Sequence, residues 1–344
     1  MAAPLRIALL GCGALAEILA EQVYPSVIDS VKVVAAIDIA PERAKAVGGT
    51  LGAPGFSTLR EAVAAVEIDG VDVRLPHQLH VQGAEWSAEL ALPFLIEKPM
   101  ASSLAEAKGI AALAQGVSGV CGVSENYGFL EPVLAARTLL RSGAIGELLL
   151  VKSIRVFELG PHWRRDGWRV TSGPAEGVLI DQATHAIRMF RTVVGEIAEV
   201  HAYASSHREG FSSEDTAVVS CRFASGHIGV QLLCWACPDP AATRIPELSL
   251  YGTAGSITVY TGYEGDGGTL LRRPGAADEW HVRGTNYFDS LGRTLEDWAD
   301  AVRAGREPAC SIREGLADMA VMEAIQASRD QNAPIPVPQV GARR

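Results

Sequence analysis

A short apolar run, Leu5–Leu10 (L-R-I-A-L-L), stops at Gly11-Cys12-Gly13-Ala14-Leu15-Ala16, and a helical pattern starts at once over Ala14–Val23, ended by Pro25. In a strand, G-x-G-x-x-A, helix sequence each small residue has its own task. The first glycine makes the tight turn, the second lets a pyrophosphate approach the backbone, and the small third residue lets helix and sheet pack closely. The helix N-terminus adds unpaired N–H groups and the positive end of a dipole. A second buried-strand pattern, Lys32–Ile37, ends at Asp38, 22 residues beyond Ala16. A carboxylate there accepts hydrogen bonds from an adenosine ribose and repels a 2′-phosphate, which favours NAD over NADP. Arg43 could reach a 2′-phosphate and keeps NADP open. The competing reading is a glycine turn in an α/β domain that serves some other ligand.

The alternation continues to residue 123. Pro41 stands where a first helical turn begins. Thr58-Leu59-Arg60-Glu61 and Ser103-Leu104-Ala105-Glu106 are capping boxes that open helices. Val71–Leu75, Phe94–Ile96 and Val117–Val123 are strand patterns, with a helical pattern at Val81–Leu90. Repeated strand–helix units imply a parallel sheet covered on both faces. The expected fold is therefore α/β, with an N-terminal doubly wound (Rossmann) domain over residues 1–123. From 124 to 344 the pattern predicts an α+β domain built on an open, mostly antiparallel sheet. Its strands are Leu148–Glu158, Ala198–Ser205, Thr216–Phe223, Ile228–Trp235, Glu247–Tyr251 and Ser256–Tyr260. A helix, Pro132–Arg141, precedes them, and two more, Tyr287–Ala304 and one from the capping box Ser311–Glu314 to Ser328, follow. The proline-rich end (Pro334, Pro336, Pro338) reads as a tail. Two domains suit 344 residues.

Thirty basic against forty acidic side chains give a formal charge of −10, which argues against a nucleic-acid partner. No apolar run is long enough to span a bilayer. Leu9-Leu10-Gly11-Cys12 loosely resembles a lipoprotein cleavage site, but the apolar stretch before it is too short for a signal sequence. Six cysteines in a chain this long form no disulfide framework, so the expected compartment is the cytoplasm. An open sheet face predicts a homodimer or homotetramer.

Three further groups could carry chemistry. Glu97-Lys98-Pro99 follows a short strand, at the strand end where open α/β sheets bind ligands; taken alone, a solvated Lys–Glu pair explains it as well. Asp181 and His185, at i and i+4, share one helical face. They are either a helix-start Asp with a packing His or an acid/base pair in which Asp181 orients the imidazole. Arg164, Arg165 and Arg169 lie among Trp163 and Trp168, where they could hold a substrate phosphate or pair with Asp166 and Glu176. Cys234-Trp235-Ala236-Cys237 is a lone C-x-x-C and reads as packed thiols. His162, His201, His207, His227 and His281 show no metal-ligand spacing, so no metal is expected.

Taken together, these residues resemble the Gfo/Idh/MocA family of nicotinamide-dependent oxidoreductases over nearly the whole chain. The likeness runs through Gly11-Cys12-Gly13, Asp38, Pro76-His77 with His80, Glu97-Lys98-Pro99, Gly143–Glu147, Trp168-Arg169, the Asp181/His185 pair and Gly252–Ser256. It implies that Lys98, Asp181 and His185 are catalytic and meet over the nicotinamide. It also implies cofactor contacts at Gly11, Cys12, Gly13, Ala14, Leu15, Asp38, Arg43, Leu75, Pro76, His77, His80, Glu97, Lys98, Asn126, Trp168 and Arg169. The implied function is NAD-dependent hydride transfer to or from a secondary hydroxyl of a sugar, cyclitol or sugar-containing metabolite. A non-catalytic NAD-binding sensor and an NAD-dependent redox glycosidase are the alternatives. The chain departs from the family pattern at Leu75, His77, Ala175-Glu176 and Ala183, which bears on the substrate more than on the reaction class.

Overall fold

The computed structural model describes residues 3–164, 167–171, 177–238, 246–263 and 265–340. Its contacts divide it into two compact units. The first takes in the residues up to Asn126 together with Leu291–Leu316, and the second takes in Tyr127–Ser290 with the residues from Ala317 on. Leu291–Leu316 lies, by sequence pattern, inside 124–344.

The first unit is built on six parallel strands in the order β3-β2-β1-β4-β5-β6. They are β1 (Leu5–Leu10), β2 (Val31–Ile37), β3 (Gly55–Phe56), β4 (Gly70–Val73), β5 (Phe94–Glu97) and β6 (Gly122–Ser124). Ile7, Leu9, Val31, Val71, Val73, Phe94 and Ile96 are buried, as strands covered on both faces require. The helices are α1 (Ala14–Ile18), α2 (Pro41–Leu51), α3 (Leu59–Ala65), α4 (His80–Glu89) and α5 (Leu104–Gly116). Both capping boxes form with one variation. Thr58 and Ser103 accept from the N–H groups of Glu61 and Glu106, while each Glu carboxylate reaches back to the residue before the cap, Ser57 or Ser102. Pro25 does not end the first helix. α1 passes into a π-helical turn, Leu19–Val23, and a 3₁₀ turn, Tyr24–Val27, which takes Pro25 in its first turn, where the missing N–H costs nothing.

The second unit holds α6 (Glu131–Arg141), β7 (Leu148–Val156), α7 (Pro161–Arg164), α8 (Trp168–Thr171) and α9 (Thr184–Val193). The strands that follow are β8 (Ile197–Ser205), β9 (Thr216–Phe223), β10 (Ile228–Cys234), β11 (Leu248–Gly252), β12 (Gly255–Tyr260), β13 (Gly267–Arg272) and β14 (Glu279–Thr285). Helices α10 (Tyr287–Ala304) and α11 (Ile312–Gln331) cross the division between the units, and β15 (Ile335–Pro336) comes last. Among the described residues the sheet has nine strands, in the order β14-β13-β12-β11-β7-β10-β9-β8-β15, and only β7 and β10 pair in parallel. The expected open, mostly antiparallel sheet is the one found. The tail is a correction: Ile335-Pro336 pairs with Val200 and Glu199, and Pro336 sits on an outer strand, where its missing donor is harmless. One face of the sheet is closed over Val151, Val219, Phe223 and Leu233, with Phe190 of α9 tilted against Phe223, ring centroids 5.7 Å apart. The other face leaves Leu150, Tyr203, Val218, Ile228 and Tyr251 exposed.

Candidate active site

In the first unit the glycine turn is shaped for close approach. Gly11 has φ +100°, and a Cβ there would lie 2.7 Å from the Arg74 carbonyl oxygen, so only glycine fits. The Cys12 N–H donates to Asp38 Oδ2 at 2.8 Å, and Asp38 Oδ1 accepts from the Ala40 N–H at 2.9 Å. Asp38 thus closes the turn, and each oxygen keeps lone-pair capacity for ribose hydroxyls. Gly13 caps α1, Ala14 and Ala16 are buried against the sheet, Leu15 is half-buried, and Arg43 is exposed on the first turn of α2. Cys12 is fully buried, and burial pushes its thiol up to about 12. It offers the turn its backbone, not a thiolate. The small residues, the tight turn and the ribose-side carboxylate all fit a dinucleotide.

The strand ends beyond β4 and β5 are tied together from inside. His80 is fully buried, with Nδ1 2.9 Å from the Pro99 oxygen and Nε2 2.9 Å from the Leu75 oxygen. Burial pushes the imidazole down to about 4, against the pull of those carbonyls. With no exposed surface, His80 lies between the segments carrying Leu75 and Pro99. Lys98 is half-buried, and its peptide bond to Pro99 is cis. Glu97 is no solvated neighbour of that lysine. Its carboxylate pairs with the buried guanidinium of Arg74, which also donates to Ser124 Oγ at 2.9 Å and pairs with Asp72 at 2.8 Å. Tyr24 donates its hydroxyl to Asp72 Oδ2 at 2.5 Å. Burial raises Glu97 to about 7, with Arg74 and Lys98 pulling the other way. Asn126, just past β6, is buried.

In the second unit, Gly177 opens the decisive turn at φ +119°. Glu214 Oε1, which a Cβ on Gly177 would meet at 2.6 Å, accepts the Leu179 N–H at 3.3 Å. Leu179–Ala183 then forms a π-helical turn before α9 begins at Thr184. Asp181 therefore lies in a π turn, a feature frequent at functional sites, and not in the α-helix that its spacing to His185 predicts. Both side chains are buried. Asp181 Oδ2 is 3.5 Å from Arg169 Nε, and that guanidinium stands 4.0 Å from the Trp168 ring centroid and 5.1 Å from that of Trp163. The imidazole of His185 stacks on Tyr127, with centroids 4.2 Å apart and 27° between the planes. Arg165, Asp166, Ala175 and Glu176 lie outside the described residues.

Two family models match the chain, one described as the NAD-binding Rossmann fold of the oxidoreductase family over residues 5–125 and one as the GFO/IDH/MocA C-terminal domain over residues 133–258. The chain belongs to the Gfo/Idh/MocA oxidoreductases. It is similar to D-apiose dehydrogenase of Rhizobium rhizogenes, with 26% identity over 93% of this chain and 94% of that protein. Its fold matches the crystal structure of an oxidoreductase from Agrobacterium radiobacter in complex with NAD+, L-tartaric acid and magnesium, at a TM-score of 0.83 and 22% identity over 97% and 98% of the two chains. It also matches levoglucosan dehydrogenase in complex with NADH and levoglucosan, at 0.80 and 22% over 98% and 100%. As a Gfo/Idh/MocA member the chain is an NAD-dependent oxidoreductase, and its first unit is the NAD-binding domain.

Each unit adds residues beside its candidate groups that no spacing rule picks out. Arg74 and Asp72 brace Glu97, Glu214 caps the turn of Asp181, and Tyr127 lies against His185. The one hint for the first pair is two opposite charges inside the apolar run Val71–Leu75. Among the described residues no three His, Cys, Asp or Glu side chains are grouped as a metal site, and no helix is long and apolar enough to cross a membrane. Cys234 and Cys237 are free thiols, and Thr216 Oγ1 lies 3.4 Å from Cys234 Sγ.

Proposed function

We propose that the chain is a cytoplasmic, NAD-preferring dehydrogenase or ketoreductase acting on a secondary hydroxyl of a sugar, cyclitol or sugar-containing metabolite. The observation that carries this is the buried Asp181/His185 pair on one helix start, with Arg169 braced on the carboxylate. Polyol oxidation needs a base of near-neutral pKa in a site that excludes water, and a histidine held in such a place supplies it. Membership beside D-apiose dehydrogenase and likeness to levoglucosan dehydrogenase favour a carbohydrate.

NAD, when bound, supplies the hydride acceptor. His185 takes the proton of the reacting hydroxyl, and in the reverse direction returns it to the ketone. Lys98 hydrogen-bonds the same oxygen and stabilises the negative charge that grows as the O–H bond breaks. Asp181, paired with Arg169, binds a neighbouring hydroxyl or orients His185. Asp38 and Gly11–Leu15 hold the adenosine and pyrophosphate, with Arg43 at the adenosine end. Leu75, Pro76, His77, Glu97, Asn126, Trp168 and Arg169 complete the cofactor contacts, and His80 acts through the loops it ties.

A non-catalytic sensor would have no use for Lys98, Asp181 and His185 together, and a redox glycosidase would release sugar without accumulating NADH. Incubation with NAD+ and a panel of sugars, cyclitols and glycosides, followed at the NADH absorbance, separates the three. His185→Ala should lower the rate of hydride transfer by ~10²–10⁴-fold, and Lys98→Ala by at least as much, with NAD affinity little changed in the His185 variant. Full turnover in His185→Ala would move proton transfer to another group.

A further inference from the structure

Tyr127 is wholly buried, yet its phenol is not idle. The hydroxyl donates to Glu247 Oε2 at 3.2 Å and accepts from the Arg155 guanidinium, which also pairs with the Glu247 carboxylate. Thr261 Oγ1 bonds the other Glu247 oxygen. Arg155 Nε donates to Gln182 Oε1 at 2.7 Å, and Gln182 is the residue after Asp181 in the π turn. One frame of hydrogen bonds thus fixes both the ring under His185 and the turn that carries Asp181.

We propose that Tyr127 is a positioning residue for His185, its ring the platform on which the imidazole is held and Arg155 with Glu247 the lock on that platform. The inference rests on the catalytic reading of His185 given above. A histidine that must gain and lose a proton each cycle needs one fixed ring position in two charge states. A π face meets both requirements: it packs flat against neutral imidazole and attracts imidazolium, offsetting part of the penalty of charging a buried group. The groups around the pair are Asp181 one turn away with its partner Arg169, the phenols of Tyr127 and Tyr287 (the latter edge-on to Tyr127 at 5.8 Å), and Arg155 and Glu247 behind. Arg155 and Glu247 carry opposite charges, so the lock adds rigidity with little net field. Locking matters because a displacement of about 1 Å in a reacting group costs on the order of 10²-fold in rate.

The test uses the full chain with ¹³C-labelled histidine, the His185 signal being assigned by its loss in His185→Ala. In the wild type that signal should be shifted upfield by the ring current of Tyr127. Tyr127→Leu should abolish the shift and lower the His185 pKa by about half a unit or more, the size of a lost cation–π contact. Tyr127→Phe keeps the ring but lacks the hydroxyl that Arg155 and Glu247 hold, so it should retain the ring-current shift and the pKa in part. With a substrate from the panel, kcat should fall ~10–100-fold in Tyr127→Leu and by less in Tyr127→Phe, while the affinity for NAD+ stays unchanged. An unshifted wild-type signal, an unaltered titration in Tyr127→Leu, or equal losses in the Leu and Phe variants would overturn the proposal. Should Tyr127→Leu not fold, the wild-type and Phe spectra decide it. Full turnover in His185→Ala would sink the catalytic reading while the spectra still judge the platform. An inactive His185→Ala beside an unaffected Tyr127→Leu would sink the platform alone.

Discussion

Asp38 closes the glycine turn through Cys12, and in the proposed function the same carboxylate takes the ribose end of the cofactor. Asp38→Ala should weaken NAD binding by ~10–100-fold, the worth of hydrogen bonds to a charged acceptor, and weaken NADP far less; titration calorimetry with both cofactors checks this, and equal losses would remove the ribose contact. Glu97 makes a prediction in pH. Its value of about 7 lies above the ordinary 4.5, so the folded state holds the proton more tightly than the unfolded chain does. That contribution to stability is complete below pH 4.5 and is lost as pH rises through 7. Relative to Glu97→Gln, the wild type should therefore lose unfolding free energy from about pH 4.5 to about pH 7 in urea titrations; the opposite slope would mean that Arg74 keeps Glu97 ionised throughout. Asp38 was legible because a strand end at fixed spacing from a glycine turn marks it. Arg74 was not, since a buried guanidinium is defined by its partners, and besides its near neighbour Asp72 these are Glu97 and Ser124 on two other strands.

At the scale of elements, patterns that depend on burial were readable and those that depend on a neighbour were not. Leu5–Leu10, Thr216–Phe223 and Tyr287–Ala304 coincide with their sequence patterns because apolar residues recur at the period of the element. β14 has no buried residue, and β13 begins in a glycine run, so neither showed a strand signature. The π turn at Leu179–Ala183 was illegible for a different reason: i, i+4 spacing suits either helix, and the choice falls to Gly177, Glu214 and the bond from Arg155 to Gln182. His80 shows how one side chain can hold two elements in place. His80→Ala should cost about 1–3 kcal/mol of unfolding free energy, because the buried carbonyl that takes the single N–H of the neutral ring, that of Leu75 or of Pro99, loses its donor. Urea unfolding measures it, and an unchanged midpoint would show that water replaces the ring.

For the whole molecule, the open face of the nine-stranded sheet carries Leu150, Tyr203, Val218, Ile228 and Tyr251, each more than a third exposed. A patch of that kind argues for a second copy of the chain, and the proposed assembly is a homodimer or homotetramer. Light scattering at micromolar concentration should give a multiple of 36.4 kDa, and Val218→Lys should shift the mass toward one chain. The strand patterns showed that two kinds of sheet were present, but not that Leu291–Leu316 returns to the first unit. There Trp298 Nε1 donates to the Val120 oxygen at 2.8 Å, its ring fills the space beside Gly70, and Val123 takes the Cys310 carbonyl at 2.9 Å. During synthesis, then, the ribosome delivers all six strands of the nucleotide sheet long before the residues that seal its last edge. The part of the chain made first is the part that must wait for residue 316 to be finished, and a nascent chain paused anywhere in the second sheet carries that edge uncovered.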